Sequence, residues 1–261
     1  RVLDSAEGEL ASGFVGKGRM QEPEELFDEI QSFFEPKGIV KGKNVLITAG
    51  PTQENIDPVR YIGNRSSGKM GIALANAFSA KGANVTLVLG PTSEQVTDIG
   101  IQVHKVTSAA EMMEVSKQNY SNSTVSIFAA AVADYRPKQV FDQKLKKSDD
   151  ELELILVKNQ DIAKELGKLK GVNQINIGFA LETNNGVENA NLKLESKNFD
   201  AIVLNSLEDA GAGFGHDTNK VSILSANNKI LNLELMSKVE VAEKIVNFTE
   251  DLLNEKADFI S

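Results

Sequence analysis

The fold is decided by residues 44–90, which read NVLITAGPTQENIDPVRYIGNRSSGKMGIALANAFSAKGANVTLVLG. Two apolar runs of strand length, 45–49 and 84–89, stand at the ends of this stretch. Between them, residues 71–80 are rich in alanine and are followed by Gly82, which is typical of a helix with a glycine just past its C-terminus. Two buried strands joined by a helix predict a βαβ unit with parallel strands.

The same alternation continues along the chain. Further strands are predicted at 103–106, 125–131, 175–180 and 201–205, and helices at 109–119, 187–198 and 237–256. Residues 145–157 break the alternation, as does the pair 221–224 and 230–235, which Asn227 and Asn228 separate as a hairpin turn would. We therefore expect an α/β fold with a Rossmann-like, doubly wound, mostly parallel sheet and with antiparallel additions.

The N-terminal part has a different composition. Residues 1–36 combine a glycine-punctuated loop with a short amphipathic helix at 23–34, and residues 37–43 have linker composition. The main domain is predicted at 44–256.

Composition excludes several classes of function. The chain has 261 residues and no cysteine, so disulfides, thiolate nucleophiles and cysteine-ligated metals are excluded, and a reducing compartment such as the cytoplasm is expected. A net charge of −9 argues against a broad nucleic-acid-binding surface. The longest apolar run is too short for a membrane helix. An anionic ligand must therefore be held by a local cluster of cations and amide donors.

Such a cluster is predicted around residues 63–71, GNRSSGKMG. The stretch resembles a P-loop only superficially, because Met70 cannot ligate Mg²⁺ and the loop lies well past the strand end. Serine hydroxyls and free amides at a helix start suit a phosphate, although Ser66 or Ser67 could equally be a plain N-cap. Both interpretations stay open at this point.

Two more loops follow predicted strands at the same edge of the sheet. The loop after 125–131 leads into a basic run, and the helix after 175–180 carries two lysines four residues apart, on one face. These cations are Lys138, Lys144, Lys146, Lys147, Lys193 and Lys197. Asn159 or Asp161 is predicted to cap another helix. GxGxxG and GxSxG are both missing, which disfavours a standard dinucleotide site and triad hydrolysis.

Five stretches in this order resemble the phosphopantothenate–cysteine ligase domain of the bifunctional bacterial coenzyme A biosynthesis proteins. They are 47–52 (ITAGPT), 57–62 (DPVRYI), 66–71 (SSGKMG), 130–135 (AAVADY) and 178–183 (GFALET). Residues 8–20 are similar to the end of the preceding FMN-dependent decarboxylase domain, with Ser12 where that family has its catalytic cysteine. Residues 1–36 are accordingly predicted to be the C-terminal remnant of that domain.

The resemblance implies a ligase that joins 4′-phosphopantothenate to cysteine through an acyl-cytidylate, with CTP and Mg²⁺. It implies catalytic roles for Asn64, Arg60 and Lys144. The substrate phosphate would lie on Ser66, Ser67 and Gly68, with Ala129 and Ala130 beside it. The nucleotide would contact Phe128, Ala129, Ala130, Asp134, Lys144, Gln160, Asp161, Ile162, Ala163, Phe179, Lys193 and Lys197. No protein ligand of the metal is identified.

The resemblance also implies a homodimer in which the antiparallel additions form the dimerisation element, a higher assembly with the decarboxylase domain, and FMN only in that upstream domain. Neither nucleic acid nor membrane is expected as a partner. Two alternatives to the ligase are kept: a catalytically silent nucleotide-binding or assembly module, and an FMN-dependent phosphopantothenoylcysteine decarboxylase.

Overall fold

The computed structural model describes residues 2–9, 12–34, 38–146, 152–182, 186–206, 217–227 and 229–260. The chain forms two compact units, residues 1–37 and residues 38–261. In the first unit, strands β1 (Ala6–Glu9) and β2 (Val15–Arg19) pair antiparallel, and helix α1 (Pro23–Phe34) follows them. Helix α1 has the predicted bounds.

The second unit is built on an eight-stranded sheet. Its strands are β3 (Asn44–Ala49), β6 (Asn84–Leu89), β7 (Gln102–Lys105), β8 (Val125–Phe128), β11 (Ile175–Glu182), β12 (Ala201–Ser206), β14 (Val221–Ser225) and β15 (Ile230–Asn232), in the order β15-β14-β12-β11-β8-β3-β6-β7. Six neighbouring strands of this sheet, β7, β6, β3, β8, β11 and β12, are parallel to one another. Strands β14 and β15 are added antiparallel beside β12, at one edge. The predicted doubly wound, mostly parallel fold is confirmed.

Helices cover both faces of this sheet, and three short ribbons lie outside it. The helices are α2 (Lys69–Ala80), α3 (Ala109–Tyr120), α4 (Ile162–Gly167), α5 (Gly186–Ser196) and α6 (Lys238–Ile260). The ribbons pair β4 (Gln53–Asn55) with β5 (Tyr61–Gly63), β9 (Tyr135–Pro137) with β10 (Leu156–Lys158), and β13 (Thr218–Asn219) with β16 (Met236–Ser237).

The core consists of two apolar layers, one on each face of the sheet. One layer contains Phe78 of α2 and Ile245 of α6, and the other contains Met112 of α3 and Leu166 of α4. Burying a side chain of this size stabilises the fold by roughly 1.5–3 kcal/mol. Because both faces are covered, the parallel strands read as continuous apolar runs in the sequence.

Among the predicted strands and antiparallel segments, three differ from the observed ones by more than two residues at one end. The strand predicted at 125–131 ends at Phe128, because the small residues after it line a loop, and the strand predicted at 230–235 ends at Asn232. Of the antiparallel segment predicted at 145–157, the described part pairs only from Leu156, in β10. Lys147, Thr183 and Asn228 lie outside the described residues.

In the part of the chain that the structure describes, we find no helix that is both long and apolar enough to cross a membrane.

Candidate functional site

A crevice opens where the sheet reverses its winding, between the carboxyl ends of β3 and β8. From β3 the chain proceeds to β6 and β7 on one side, and later from β8 to β11 and β12 on the other. Such a switch point is where open α/β sheets bind ligands. The two loops that leave these strands are joined by backbone hydrogen bonds, for example from the amide of Ala131 to the carbonyl of Gly50 at 2.9 Å.

Asn64 also ties the two loops together. Its side-chain amide donates to the carbonyl oxygens of Ala131 at 3.2 Å and of Val132 at 3.0 Å. The residue is exposed at the rim of the crevice. In this position, Asn64 holds the loop after β5 against the end of β8.

The start of helix α2 forms the floor of the crevice. Its N-cap is Gly68, in the left-handed conformation with φ of 78°, and no side chain caps the helix. The Ser66 hydroxyl accepts only a 3.4 Å bond from the Gly68 amide, and Ser67 contributes its carbonyl oxygen to a hydrogen bond from the Thr92 hydroxyl. The alternative in which a serine is the N-cap is therefore wrong, and the uncapped amides suit an anion.

Gly71 explains how the helix start comes so close to the strand end. A β-carbon at position 71 would overlap the β-carbon of Ala49, so the helix can approach β3 only with glycine there. The helix dipole is thereby aimed at the switch point of the sheet.

The larger of two neighbouring cavities in the crevice has a volume of about 420 Å³. It is lined by predicted site residues together with four polar ones that the sequence analysis missed. The predicted ones are Asn64, Ser66, Ser67, Gly68, Ala129, Ala130, Asp134, Phe179 and Lys193, and the missed ones are Lys69, Asn205, Asn219 and Lys238.

The smaller cavity has a volume of about 240 Å³ and shares Ala130, Asp134, Phe179 and Lys193 with the larger one. Its remaining wall includes the other residues predicted to contact a nucleotide, namely Phe128, Gln160, Asp161, Ile162, Ala163 and Lys197. The structure thus brings together most of the residues that the sequence analysis grouped.

Two lysines of the smaller cavity already have carboxylate partners. Lys193 contacts Glu182 at 2.5 Å, and Lys197 contacts Asp161 at 3.0 Å. Of the two residues predicted to cap a helix, Asn159 and Asp161, Asp161 is the N-cap of α4. Its side chain accepts a hydrogen bond from the Lys164 amide. Burial opposes ionisation of Asp161, but the hydrogen bond from the Lys164 amide and the Lys197 ammonium outweigh it and lower its pKa.

Arg60 and Lys144, predicted to be catalytic, line neither cavity. Arg60 pairs with the buried carboxylate of Asp57 and donates to the carbonyl oxygen of Leu145 at 2.9 Å. The Asp57 carboxylate also accepts from the amides of Val59, Arg60 and Leu145. The Arg60 guanidinium and these amides hold the pKa of Asp57 far below its ordinary value.

Lys69 and Lys238 form a cationic pair at the larger cavity. Lys69 contacts Asp217 at 2.6 Å and lies 3.9 Å from Glu94. Lys238, at the first position of α6, is 7% exposed, and its burial, followed by the charge of Lys69, lowers its pKa. The sequence analysis missed Lys238 because a polar residue at the start of an amphipathic helix has no distinctive signal.

Within the described ranges, no cluster of three or more histidine, aspartate or glutamate side chains could hold a metal ion.

The fold and the crevice define a domain of the doubly wound α/β class with a cavity at its switch point. Residues 40–252 match the family described as the DNA/pantothenate metabolism flavoprotein C-terminal domain, and the chain belongs to this family. A cysteine/cysteine sulfinic acid decarboxylase from an unidentified prokaryote is 51% identical over 249 residues, which cover 94% of this chain and 69% of that protein.

Two further relatives carry the name of coenzyme A biosynthesis. The bifunctional protein CoaBC of Haemophilus influenzae is 47% identical over 92% of this chain and 59% of its own length. A crystal structure of the C-terminal domain of CoaBC is 41% identical, with a TM-score of 0.72, and covers 84% of this chain and all of that one. The chain therefore spans only part of these full-length relatives.

These names correct the predicted activity and cofactors. The resemblance implied a CTP- and Mg²⁺-dependent ligase, with FMN confined to an upstream domain. The matched family is instead described as a flavoprotein domain, and a decarboxylase matches 94% of this chain itself. The names of this family and of these relatives mention neither a ligase nor CTP, and they favour the flavin-dependent decarboxylase that was kept as an alternative.

Proposed function

We propose that this chain serves a flavin-dependent decarboxylation in coenzyme A biosynthesis, and that its crevice binds the phosphate of a phosphorylated ligand. The names of the relatives support the class of reaction and the pathway. The single observation that carries the phosphate site is the uncapped start of α2 beside Lys69 and Lys238 in one cavity. The substrate class that we infer is a cysteine-containing carboxylic acid such as 4′-phosphopantothenoylcysteine.

The described residues fit the phosphate end of FMN or of such a substrate. The amides that follow Gly68 and the hydroxyls of Ser66 and Ser67 supply donors, and Phe179 is the one aromatic side chain among the described residues that line the larger cavity. FMN, when bound, would supply a reversible two-electron acceptor, which takes an electron pair from the cysteine part of the substrate and returns it after CO₂ has left, so that the net reaction is redox-neutral. The chain's own contribution is to hold the phosphate and to orient the ligand along the crevice.

Asn205 adds an acceptor on the opposite wall. Its side-chain nitrogen donates to Asn219 at 3.1 Å, while its buried side-chain oxygen has no hydrogen-bond partner among the described residues. A buried acceptor of this kind is costly unless a ligand satisfies it. We infer that a hydroxyl or amide N–H of the ligand donates to Asn205.

We assign different roles to Asn64, to the segment 66–68 and to Arg60. Asn64 and the segment 66–68 belong to the phosphate side of the crevice. Arg60 is better supported as a residue that holds the backbone near Leu145, and hence the neighbouring Lys144, than as a group that touches a ligand.

We also infer that two copies of the chain associate, through ribbon β9–β10 and its neighbours. Large apolar side chains are exposed there: Tyr61, Tyr135, Val140, Ile155 and Leu156. Sedimentation equilibrium on the purified chain tests this, and a monomer at tens of micromolar would contradict it. A cytoplasmic location is proposed from the biosynthetic names of the bacterial relatives.

Titration with FMN and with riboflavin tests the flavin proposal. We expect FMN to bind with a shift of its absorbance bands, riboflavin to bind at least about tenfold more weakly because it lacks the phosphate, and 4′-phosphopantothenoylcysteine to release CO₂. If neither FMN binding nor CO₂ release is found while 4′-phosphopantetheine binds, the chain is a phosphate-binding module without decarboxylase activity and the proposal is wrong.

A further inference from the structure

Part of the lining of the larger cavity comes from a ribbon that the sequence analysis did not identify. Strands β13 and β16 pair Thr218 with Ser237 and Asn219 with Met236. The ribbon continues at one end, where the amide of Lys238 donates to the carbonyl of Asp217 at 2.9 Å. Asn219 and Lys238 line the larger cavity, and Asp217 beside them contacts Lys69, which also lines it.

We infer that this ribbon forms the second half of the phosphate site: Lys69 and Lys238 bind the phosphate, and Asp217 competes with it for these lysines. The inference rests on the phosphate site proposed above, and it adds both the cations and their competitor. Lys69 directly follows Gly68, the N-cap residue of a helix start that no side chain caps. Its ammonium and the helix amides can therefore act on the same anion.

Asp217 is suited to be exchanged for a ligand. Its carboxylate contacts Lys69 at 2.6 Å, yet its side chain is 85% exposed, whereas the Lys69 side chain is 28% exposed. The free-energy cost of breaking the contact between Asp217 and Lys69 is therefore small, because water replaces the lysine as the partner of the carboxylate. A phosphate dianion that enters the cavity brings more charge to the two lysines than the single carboxylate does.

Lys238 makes this exchange dependent on pH. The charged groups near it come from three elements: Lys69 on α2, Asp217 before β13 and Glu94 after β6. Burial and Lys69 lower its pKa, while Asp217 and Glu94 raise it. A bound dianion stabilises the ammonium form, so phosphate binding takes up a proton wherever Lys238 is partly neutral.

The experiment is a calorimetric titration of the full chain with methyl phosphate. Asp217→Asn is expected to bind methyl phosphate about two- to fivefold more tightly than wild type, since a competing ion pair of this exposed kind is removed. Lys238→Met is expected to weaken binding at least about tenfold. The matched controls are Glu234→Gln, an exposed charge on the loop before β16, and Lys244→Met, an exposed lysine on α6, and neither should change affinity.

Titration between pH 8 and pH 10 in buffers of different ionisation enthalpy measures the proton uptake. Wild type is expected to take up protons, and Lys238→Met to take up fewer. Unaltered or weaker affinity of Asp217→Asn would overturn the inference, as would a Lys238→Met variant that melts like wild type and binds with wild-type affinity. Because methyl phosphate contains no flavin, these titrations remain informative even if FMN does not bind and the decarboxylase proposal fails.

Discussion

Replacing Asn64 by aspartate removes the side-chain hydrogen bonds that hold the two loops of the crevice together. The wild-type amide donates to the carbonyls of Ala131 and Val132 at 3.2 and 3.0 Å. Aspartate has nearly the same size but no N–H, and it places a negative charge beside two carbonyl oxygens. The loop after β5 therefore loses its side-chain link to the end of β8.

The size of the effect follows from the number and exposure of these bonds. Two hydrogen bonds, each with a net contribution of about 0.5–1.5 kcal/mol, give a loss of roughly 1–3 kcal/mol. The new carboxylate can turn towards water because position 64 is exposed, so repulsion adds little and about 2 kcal/mol is expected. In a chain of this length, that corresponds to a fall in Tm of about 4–8 °C.

Thermal melts followed by circular dichroism measure this fall, and Asn55→Asp is the control. Asn55 is exposed on the same β4–β5 ribbon, so its replacement makes the same change in net charge away from the two carbonyls. We expect Asn55→Asp to melt within about 1–2 °C of wild type, as surface substitutions usually do. Equal Tm values for the two variants would show that Asn64 does not hold the loops together, and the reasoning would be wrong.

Three more predictions test the framework of the crevice. Gly71→Val should destabilise the fold by at least about 1–3 kcal/mol in urea unfolding, because its β-carbon would overlap that of Ala49 and push α2 away from β3; an unchanged midpoint would contradict the close contact. Tyr120→Phe should cost about 1–3 kcal/mol, because it leaves the fully buried Asn176 amide without its hydroxyl partner; in a double-mutant cycle, adding Asn176→Leu should recover part of that loss. Asp57→Asn should lower Tm at neutral pH. The pKa of Asp57 in the folded chain lies below the ordinary 3.8. The contribution of the ionised carboxylate to folding stability is therefore fully present above pH 3.8 and is lost as the pH falls towards the lowered pKa. The Tm difference between the variant and wild type should shrink on acidification, and a difference that grows would refute this.

The central sheet was predictable because its strands are buried on both faces. Residues 84–89 show this well: the predicted bounds equal those of β6, since a mainly apolar run between a turn and a Gly-Pro pair leaves little choice. The strand predicted at 125–131 ran too long because Ala129, Ala130 and Ala131 are apolar as well. Their small size serves the crevice, where only an isolated bridge from Ala131 to Pro51 continues the pairing.

The site was predictable only where it lies on the loops that follow parallel strands. The segment 66–68 and Phe179 were found because carboxyl ends of parallel strands meet at one edge, whereas Asn64 was singled out only by the family resemblance. Asn219 lies on a short ribbon and Lys238 lies at the start of α6, directly after that ribbon. Both are distant in sequence from these loops, and no local pattern places them at that edge. The pairing of Arg60 with Asp57 did have a local signal, an acidic and a basic residue three positions apart, which the functional interpretation of Arg60 passed over.

The charges around the crevice indicate from which side an anion enters. In a protein of net charge −9, three of the lysines at the two cavities form ion pairs with carboxylates: Lys193 with Glu182, Lys197 with Asp161 and Lys69 with Asp217. The three carboxylates differ in how much of the side chain is exposed to solvent. The exposed fraction is 16% for Glu182 and 39% for Asp161, but 85% for Asp217. Asp161 is also retained by its cap on α4.

The carboxylate that an anion can displace at least cost is therefore Asp217, since water solvates it once it leaves Lys69, whereas displacing Glu182 would leave a largely buried carboxylate without its lysine. An anion that binds on the Asp217 side meets Lys69 and Lys238 together with the uncapped amides of α2. The phosphate end of a ligand should thus bind between α2 and the β13–β16 ribbon, and the rest of the ligand should extend past Phe179 into the smaller cavity.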